Sequence, residues 1–593
     1  MMYTLTKARN TCSRAGSARK RISFSLIVGL FVFLWAFLIV RANTVFYFHD
    51  EIVTKWAYMI NWNPFPLMGY IDANNHFVNS LLGGLFVRLF ESDAMWIVRL
   101  PNLLAFPLFF WSIYAMRKFF ERRVNFLMLL ITLTCTTFLV EYFGFARGYG
   151  MSMAFLVLAI QQTLAFKNDG RARYFIISLI AWVFAVYSNL TLAPFALAGM
   201  LFLAYIQWRK RSKILVIAVL PALFLVAYSI RYSFLLKKMG KLYMGSQDGF
   251  FQTTVHNLTP YLWNVDNILV DILLAVLTLF VMITLVWRMR KSKHMLDPRI
   301  VYPAFLILAV LNIVGQNVIF GVNYPEDRAA LYLIVFFFGG LSFAFDYWKL
   351  RWPAYPIIGI TLFFFVLNFN VNKSILVDFE HFDEELLTKI PNDVFGIPPS
   401  TGGRYWGIDN ELSRARNLPL RAFQEVKMPG DTLLDYIIYP EEMTTDLLNL
   451  YHPVYKDQIS ELTLFERNHF LRRSLIGSTL TQIDGDNEYF NLYVNKLDQP
   501  LFFRCIGKME RMNIFRDGTL IFSAEDSLSQ QSLYYRSVPL NESCAVNEKG
   551  EIHFDFTFAM NQFPDANLVK VYLWNLEKKK QKGEIVLEVY AIP

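Results

Sequence analysis

The stretch ISFSLIVGLFVFLWAFLIVRANTVFYFHDE, residues 22–51, decides the fold class. Residues 22–40 carry no charge, and a run of about 20 apolar residues is what a helix needs to cross the hydrocarbon core of a bilayer. The run ends on Arg41 and passes through aromatic residues into the acidic pair Asp50 and Glu51. It has no small-residue cleavage site, so it reads as a retained anchor and not as a secretory signal.

Outward from that segment, ten further candidate spans lie near 95–116, 124–140, 149–166, 173–188, 190–208, 214–231, 262–287, 301–320, 329–347 and 354–370. Eleven spans therefore precede residue 371. The composition agrees: 55% of the 593 residues are hydrophobic and 17% aromatic, with a mean hydropathy of +0.34. Soluble domains average roughly 45–50% apolar residues even with glycine counted, so a soluble enzyme is excluded.

Charge then orients the spans. Residues 1–370 hold 34 Lys and Arg against 15 Asp and Glu, whereas residues 371–593 hold 23 against 33. In the first part, 24 of the basic residues sit in the N-terminus and in the connections 117–123, 167–173, 209–213, 288–299 and 349–351, which share one side if eleven spans are counted. Positive residues favour the cytoplasmic side, so the N-terminus is expected inside and the acidic part outside. The short apolar segment 76–90 would invert this pattern as a span and reads as an interfacial helix. The basic charge is thus a topology signal, and no motif points to nucleic acid.

From residue 371 the pattern becomes water-soluble. DYIIYP (435–440) predicts a strand and 444–460 a helix, followed by alternating runs GTLIFSA, EIHFDFTFAM, LVKVYLW and EIVLEVYAI. Period-two alternation predicts an α/β portion followed by a β-sandwich-like portion. The cysteines Cys12, Cys135, Cys505 and Cys544 show no zinc-ligand spacing. Cys505 and Cys544 share the acidic part, which leaves open both a disulfide and free buried thiols. Tyr405, Trp406, Tyr534, Tyr535 and Trp574 could stack on sugars, although alternating aromatics more often fill a core.

Ten basic residues of the first part fall on the outer side: Arg41, Lys55, Arg88, Arg99, Arg147, Arg231, Lys237, Lys238, Lys241 and Arg328. They oppose the positive-inside bias, and anion binding is one reason to keep them there. Acids accompany them: His49, Asp50 and Glu51 after the first span, Asp72 and His76 around the interfacial segment, Glu141 before Arg147, and Glu326 and Asp327 before Arg328. Central charge in the spans is confined mainly to Arg99 and Asp271, which weighs against an ion-coupled transporter.

HDEIVTKWAYMI (49–60), DANNHFVNSLLGGLF (72–86) and WIVRLPNLLAFPLFF (96–110) together resemble the first outer loop of GT-C integral-membrane glycosyltransferases, in the branch of protein O-mannosyltransferases and lipid A aminoarabinose transferases (glycosyltransferase family 39-like). FGFARGYGMSMAF (143–155) is similar to that family's Arg-x-Tyr segment, and YPEDRAALYL (324–333) to its late Arg-Tyr-Leu segment. The resemblance covers about 22–160 and 321–335, and this chain has Asn75, His76, Phe77 and Val78 where the family has prolines.

The resemblance implies an inverting transferase that moves a sugar from a polyprenyl-phosphate carrier to a glycan, lipid or protein acceptor on the outer face of the membrane. It implies Asp50 as the base, with Glu51 beside it and Asp72 and His76 around the acceptor. Arg147, Arg328 and Lys55 are expected at the donor phosphate, whose departure as an anion calls for cations. A divalent ion, magnesium or manganese, held by Asp50 and Glu51 is left open.

The expected architecture is a polytopic α-helical membrane protein, GT-C-like with about eleven transmembrane helices, bearing a C-terminal soluble α/β plus β-sandwich-like domain. Its parts are a cytoplasmic N-terminus (1–21), a transmembrane catalytic domain (22–370, first outer loop 41–94) and an extracytoplasmic domain (371–593), with a bacterial cell membrane preferred as the location. A flippase for lipid-linked saccharide and a non-catalytic membrane scaffold are the alternatives.

Overall fold

The computed structural model describes residues 24–67, 71–209, 217–263, 265–291, 298–390, 407, 410, 433–440, 449–510, 517–529, 531–540, 550–563, 565–576 and 578–592. The basic N-terminus, Tyr405, Trp406, Cys544 and the first part of the helix expected over 444–460 lie outside these residues. Contacts divide the chain into two units: residues to 44 with 99–371, and 45–98 with 372–593. The sequence places the first outer loop with the spans; the division of contacts groups it with the C-terminal part.

In the first unit all eleven apolar stretches form helices. Among the described residues eight are long and apolar enough to cross a bilayer: Phe24–Thr44, Met95–Phe119, Gly148–Asp169, Leu190–Trp208, Val219–Lys238, Ile268–Arg290, Ile300–Phe320 and Asp327–Tyr347. A ninth is the pair Arg123–Cys135 and Thr137–Gly144, bent by 57°. Ala172–Ser188, of 17 residues, covers the expected stretch 173–188, whereas Ala354–Leu367, of 14, stops short of the expected 370. At about 1.5 Å per residue a 14-residue helix is roughly 21 Å long against a core of about 30 Å.

Local chemistry sets these breaks. Asn189 ends its helix and accepts hydrogen bonds from the Thr191 N–H (3.1 Å) and hydroxyl (2.8 Å), so the apolar run 173–208 becomes two helices. Thr136 adopts an extended backbone (φ −75°, ψ 107°) and donates its hydroxyl to the Thr132 carbonyl at 2.6 Å, which interrupts the helix. The helix expected from 262 starts at Ile268, so Asp271 lies in its first turn and not at mid-span. Burial separates the helices: 94% of the apolar window of Asp327–Tyr347 is buried, against 28% for Ile268–Arg290. The latter turns Leu269, Val276, Leu279 and Ile283 outward, as a lipid-facing helix does.

The second unit is built mainly of antiparallel strands. β1 (Tyr436–Pro440), β2 (Tyr451–Lys456) and β3 (Leu462–Arg467) form a small sheet in the order β1-β3-β2. β2 falls where a helix is expected: YHPVYK carries Pro453, which cannot donate in a helix interior, and its aromatic and β-branched residues suit a strand.

β4 (Ser474–Gly485), β5 (Tyr489–Lys496), β6 (Leu501–Glu510), β7 (Asp517–Glu525), β8 (Ser532–Pro539), β9 (Glu551–Met560), β10 (Leu568–Asn575) and β11 (Gln581–Ala591) make two four-stranded sheets. Their orders are β5-β10-β7-β8 and β4-β11-β6-β9. Alternating residues such as Val569, Val571 and Leu573 on β10 and Phe554, Phe556 and Phe558 on β9 share one core. Cys505 and Tyr534 belong to that core, and Cys505 is a free thiol.

Candidate functional site

In the helical unit, the bend at Thr136 leads into Glu141 and Tyr142. Glu141 pairs with Arg41 at 2.9 Å, both 1% exposed. Arg41 also donates to the Asn370 carbonyl (2.7 Å) and side-chain oxygen (2.9 Å). Arg99, fully buried, donates to the Ala42 carbonyl at 3.2 Å and lies 5.6 Å from the Phe145 ring centre. These two arginines tie helices together near the ends of spans, where the carbonyls and carboxylate they need are available.

Arg147 is the residue before the helix Gly148–Asp169 and is 2% exposed. Its guanidinium lies 5.7 Å from the centre of the Tyr149 ring, which packs at 5.2 Å on Tyr142. The pattern Arg-Gly-Tyr-Gly has a packing reason: a Cβ on Gly150 would approach the Tyr142 carbonyl to 2.6 Å. The Asn102 side chain then accepts the Met151 N–H at 3.0 Å.

Arg328 lies near the same aromatic group. The Tyr142 phenol is within electrostatic reach of Arg328, Glu141, Tyr149 and Asp327. Tyr261 stacks on Phe138 at 4.3 Å and donates its hydroxyl to Asp327. Burial first, and then the Asp327 carboxylate, pushes the Tyr261 phenol well above its ordinary pKa, so it remains a donor. Asp327 itself has φ +44° and donates its N–H to the Asn257 side chain at 2.7 Å. A left-handed backbone at a non-glycine residue is strained and tends to mark functional sites.

Two polar atoms in this group, the Tyr142 hydroxyl oxygen and Asp327 Oδ1, are buried without a hydrogen-bond partner among the described residues. An unmet buried polar atom costs roughly 1–3 kcal/mol. A neutral phenol of this kind can donate to an anion, and the helix N-terminus after Arg147 adds further positive potential.

In the other unit, Asp50 and Glu51 occupy the first turn of the helix His49–Val53, with Glu51 fully buried and Asp50 half-buried. Asp72 lies 9% exposed and accepts the Asn74 N–H at 2.9 Å, while the Asn74 amide donates to the Asp50 carbonyl at 3.4 Å. The acidic stretches 49–51 and 72–76 are thereby joined through Asn74. His76 is buried at the N-terminus of the helix Phe77–Leu89, the segment expected as interfacial.

Lys55 is held inside this unit. It is 1% exposed, pairs with Asp93 at 2.6 Å, donates to the Asn410 side chain at 3.1 Å and sits 5.3 Å from the ring centres of Tyr47 and Trp56. Four internal neighbours make it a tie between the loop and residue 410. Asp271 has similar local partners: His256 Nδ1 at 2.7 Å and the Thr259 hydroxyl. Among the described residues no three His, Cys, Asp or Glu side chains form a group that could hold a metal ion.

The chain matches no protein-family model and no curated protein. Among solved structures it is similar to ArnT from Cupriavidus metallidurans bound to undecaprenyl phosphate, at 10% identity and a TM-score of 0.45, over 74% of this chain and 97% of that one. The apo state of the same ArnT gives a TM-score of 0.43, again at 10% identity and over 74% and 97% of the two chains. The arabinosyltransferase EmbB from Mycobacterium smegmatis overlaps 95% of this chain and 64% of its own, at 10% identity and a TM-score of 0.38.

Of the residues expected at a site, the structure joins Asp50 with Asp72 through Asn74, and Arg147 with Arg328 through Tyr149 and Tyr142. Tyr142, Tyr149, Tyr261 and Asn74 are not among the sequence candidates. Three are aromatics in apolar surroundings, which pattern alone assigns to packing. Asn74 sits between Asp72 and His76 in DANNH, where an Asx turn is the only local signal.

Proposed function

We propose that this chain is an inverting membrane glycosyltransferase that moves a sugar from a polyprenyl-phosphate donor to an acceptor on the extracytoplasmic face. The reading rests on one observation above all: Arg147 and Arg328 flank buried tyrosines, one of which has an unmet hydroxyl. Two cations and a neutral donor suit a sugar phosphate, whose leaving group gains charge as the glycosidic bond lengthens. Tyr261 holds Asp327, and Asp327 sits beside Arg328 in the chain, so Tyr261 and Asn257 act as positioning residues for that arginine.

In the proposed step an acceptor hydroxyl or amine attacks the anomeric carbon, its proton passes to the Asp50 carboxylate, and the carbon–oxygen bond to phosphate breaks. The electron pair leaves with the phosphate, which Arg147 and Arg328 neutralise. Glu51 and Asp72 shape the acceptor side, and general-base assistance of this kind is worth about 10²–10⁴-fold. Lys55 serves the loop's architecture. A bacterial cell membrane, with the N-terminus cytoplasmic, is the location that the charge pattern supports.

The test is lipid mass spectrometry on cells carrying the wild-type gene, a deletion or Asp50→Asn, with protein levels matched. Accumulation of one polyprenyl-phosphate sugar in both mutants supports the donor class and gives the sugar's mass. An unchanged lipid pool would sink the donor assignment and favour a scaffold.

A further inference from the structure

The two sheets of the sandwich have unlike outer faces. On β4-β11-β6-β9 the outward positions include the ion pairs Arg504 with Asp555 and Lys508 with Glu551, each at 2.9 Å, beside the exposed aliphatic Leu480. On β5-β10-β7-β8 the register brings Tyr489, Trp574 and Thr519 into one row, Asn491, Tyr572, Ile521 and Ser537 into the next, and Lys570, Ser523 and Tyr535 into a third. Rows two residues apart along a strand are separated by about 7 Å.

Four rings thus share one face. Tyr489 is 51% exposed and Tyr535 44%, while Tyr572 and Trp574 are half-buried. Tyr489 meets Tyr572 edge-on at 5.6 Å, and Tyr535 is within electrostatic reach of both. The core of the sandwich does not need these side chains, because the alternate residues Phe490, Val571, Leu573 and Tyr534 fill it.

The polar groups around the rings complete the chemistry. Glu488 accepts from Tyr489 and pairs with Lys578 at 3.0 Å, and Glu525 pairs with Lys570 and accepts the Ser523 hydroxyl at 2.9 Å. Each carboxylate is matched by a lysine, so the face carries little net charge. Rings that stand clear of a core, among neutralised hydrogen-bonding groups, match a ligand with apolar C–H faces and many hydroxyls. A nucleic acid or an anionic lipid would call for unpaired cations, and a protein partner for a centre depleted of charged residues, where this face carries Lys570 and Glu525.

We propose that the outer face of the β5-β10-β7-β8 sheet is a saccharide-binding platform, with Tyr489, Tyr535, Tyr572 and Trp574 stacking on the sugar rings of a neutral glycan chain. Identifying that glycan with the acceptor of transfer rests on the function proposed above; the binding itself does not.

The test uses the purified full chain in detergent and six-unit oligosaccharides of glucose, mannose, arabinose and N-acetylglucosamine, titrated by calorimetry. Saturable binding of at least one is expected, weakened about tenfold by Tyr489→Ala and by Tyr535→Ala, on the scale of one lost aromatic contact. Leu480→Ala, an exposed change on the other sheet, should leave binding unchanged. Failure of all four probes to bind, or undiminished binding in the Tyr489→Ala/Tyr535→Ala double variant with an unchanged melting temperature, overturns the proposal. Undecaprenyl phosphate titrated into the same preparations separates the two readings: it should bind the double variant normally and Arg328→Ala poorly. Loss of the lipid interaction alone leaves the platform standing.

Discussion

Arg41–Glu141 in the helical unit and Arg504–Asp555 in the β-rich unit are both arginine–carboxylate pairs at the same 2.9 Å separation, yet they are held in opposite settings. The first is 1% exposed on both sides; the second is 32% and 15% exposed. Removing one partner of the first strands a charge where no water can reach it, whereas the second can fall back on solvent. The contrast shows that a buried charge in the helical unit is a commitment of structure or function, whereas a partly exposed pair on the sandwich is replaceable. Arg147, 2% exposed and beside an aromatic group, belongs with the first kind.

The largest effects should come from the residues with a chemical task. Asp50→Asn is expected to lower transfer by about 10²–10⁴-fold, the range of a lost general base. Arg328→Ala should be comparably damaging, measured as turnover of a radiolabelled lipid-linked sugar in detergent with folding checked by size-exclusion chromatography. If instead both variants turn over normally, neither Asp50 nor Arg328 has a chemical task.

Next comes the buried pair. Glu141→Gln should cost about 3–5 kcal/mol by leaving Arg41 uncompensated, read as a lowered melting temperature in detergent. The double change Arg41→Met/Glu141→Leu should recover much of that loss. The matching experiment on the sandwich, Asp555→Asn, should cost only about 0–1 kcal/mol, as partly exposed pairs do. Equal costs in the two units would break the comparison.

A smaller effect should follow pH. Burial raises the Asp457 pKa, but the hydrogen bond from His381 (3.0 Å) and those from the Ser460 and Ile459 N–H groups (2.8 Å each) outweigh it and hold the carboxyl below its ordinary value. A carboxylate whose folded pKa is depressed contributes stability above its unfolded pKa of about 3.9, lost as pH falls through the folded value. Thermal unfolding of the β-rich unit should therefore be flat in this contribution above about pH 5 and weaken below about pH 4. Asp457→Asn should remove that acid-limb component, and an unchanged acid limb would show that other carboxylates govern it.

Tyr261→Phe sharpens the picture at the smallest scale. It removes one hydroxyl from Asp327 and leaves the Phe138 stack. A positioning role predicts turnover reduced about tenfold, the worth of a hydrogen bond to a charged group, with melting temperature kept. An effect on stability alone would make Tyr261 a packing residue.

The legibility of these features follows from their range in the chain. Apolar runs report spans directly, because a bilayer demands length and hydrophobicity from contiguous residues. Asp50, Glu51, Arg147 and Arg328 stand out because charge among apolar residues needs a reason. The bend at Thr136 was not legible, since a threonine hydroxyl bonding back four residues occurs in straight helices too. Lys55 read as a cation for the donor phosphate, and only the packing of the loop disclosed Asp93 and Asn410 around it. YHPVYK read as helix because its strand partners lie at 462–467, beyond any local window.

The sequence by itself determined a multi-helical membrane unit, a strand-rich C-terminal part, and the acidic and arginine-bearing segments where chemistry is concentrated. These are properties of contiguous residues, written in hydrophobic length, alternation and charge. Tertiary structure alone decided which arginine holds helices and which faces an aromatic group. It also decided that Tyr142 and Tyr261 lie near Arg328, and that one face of the sandwich gathers four rings. Those outcomes depend on register and packing between residues up to hundreds of positions apart, and on the low dielectric that burial creates around them.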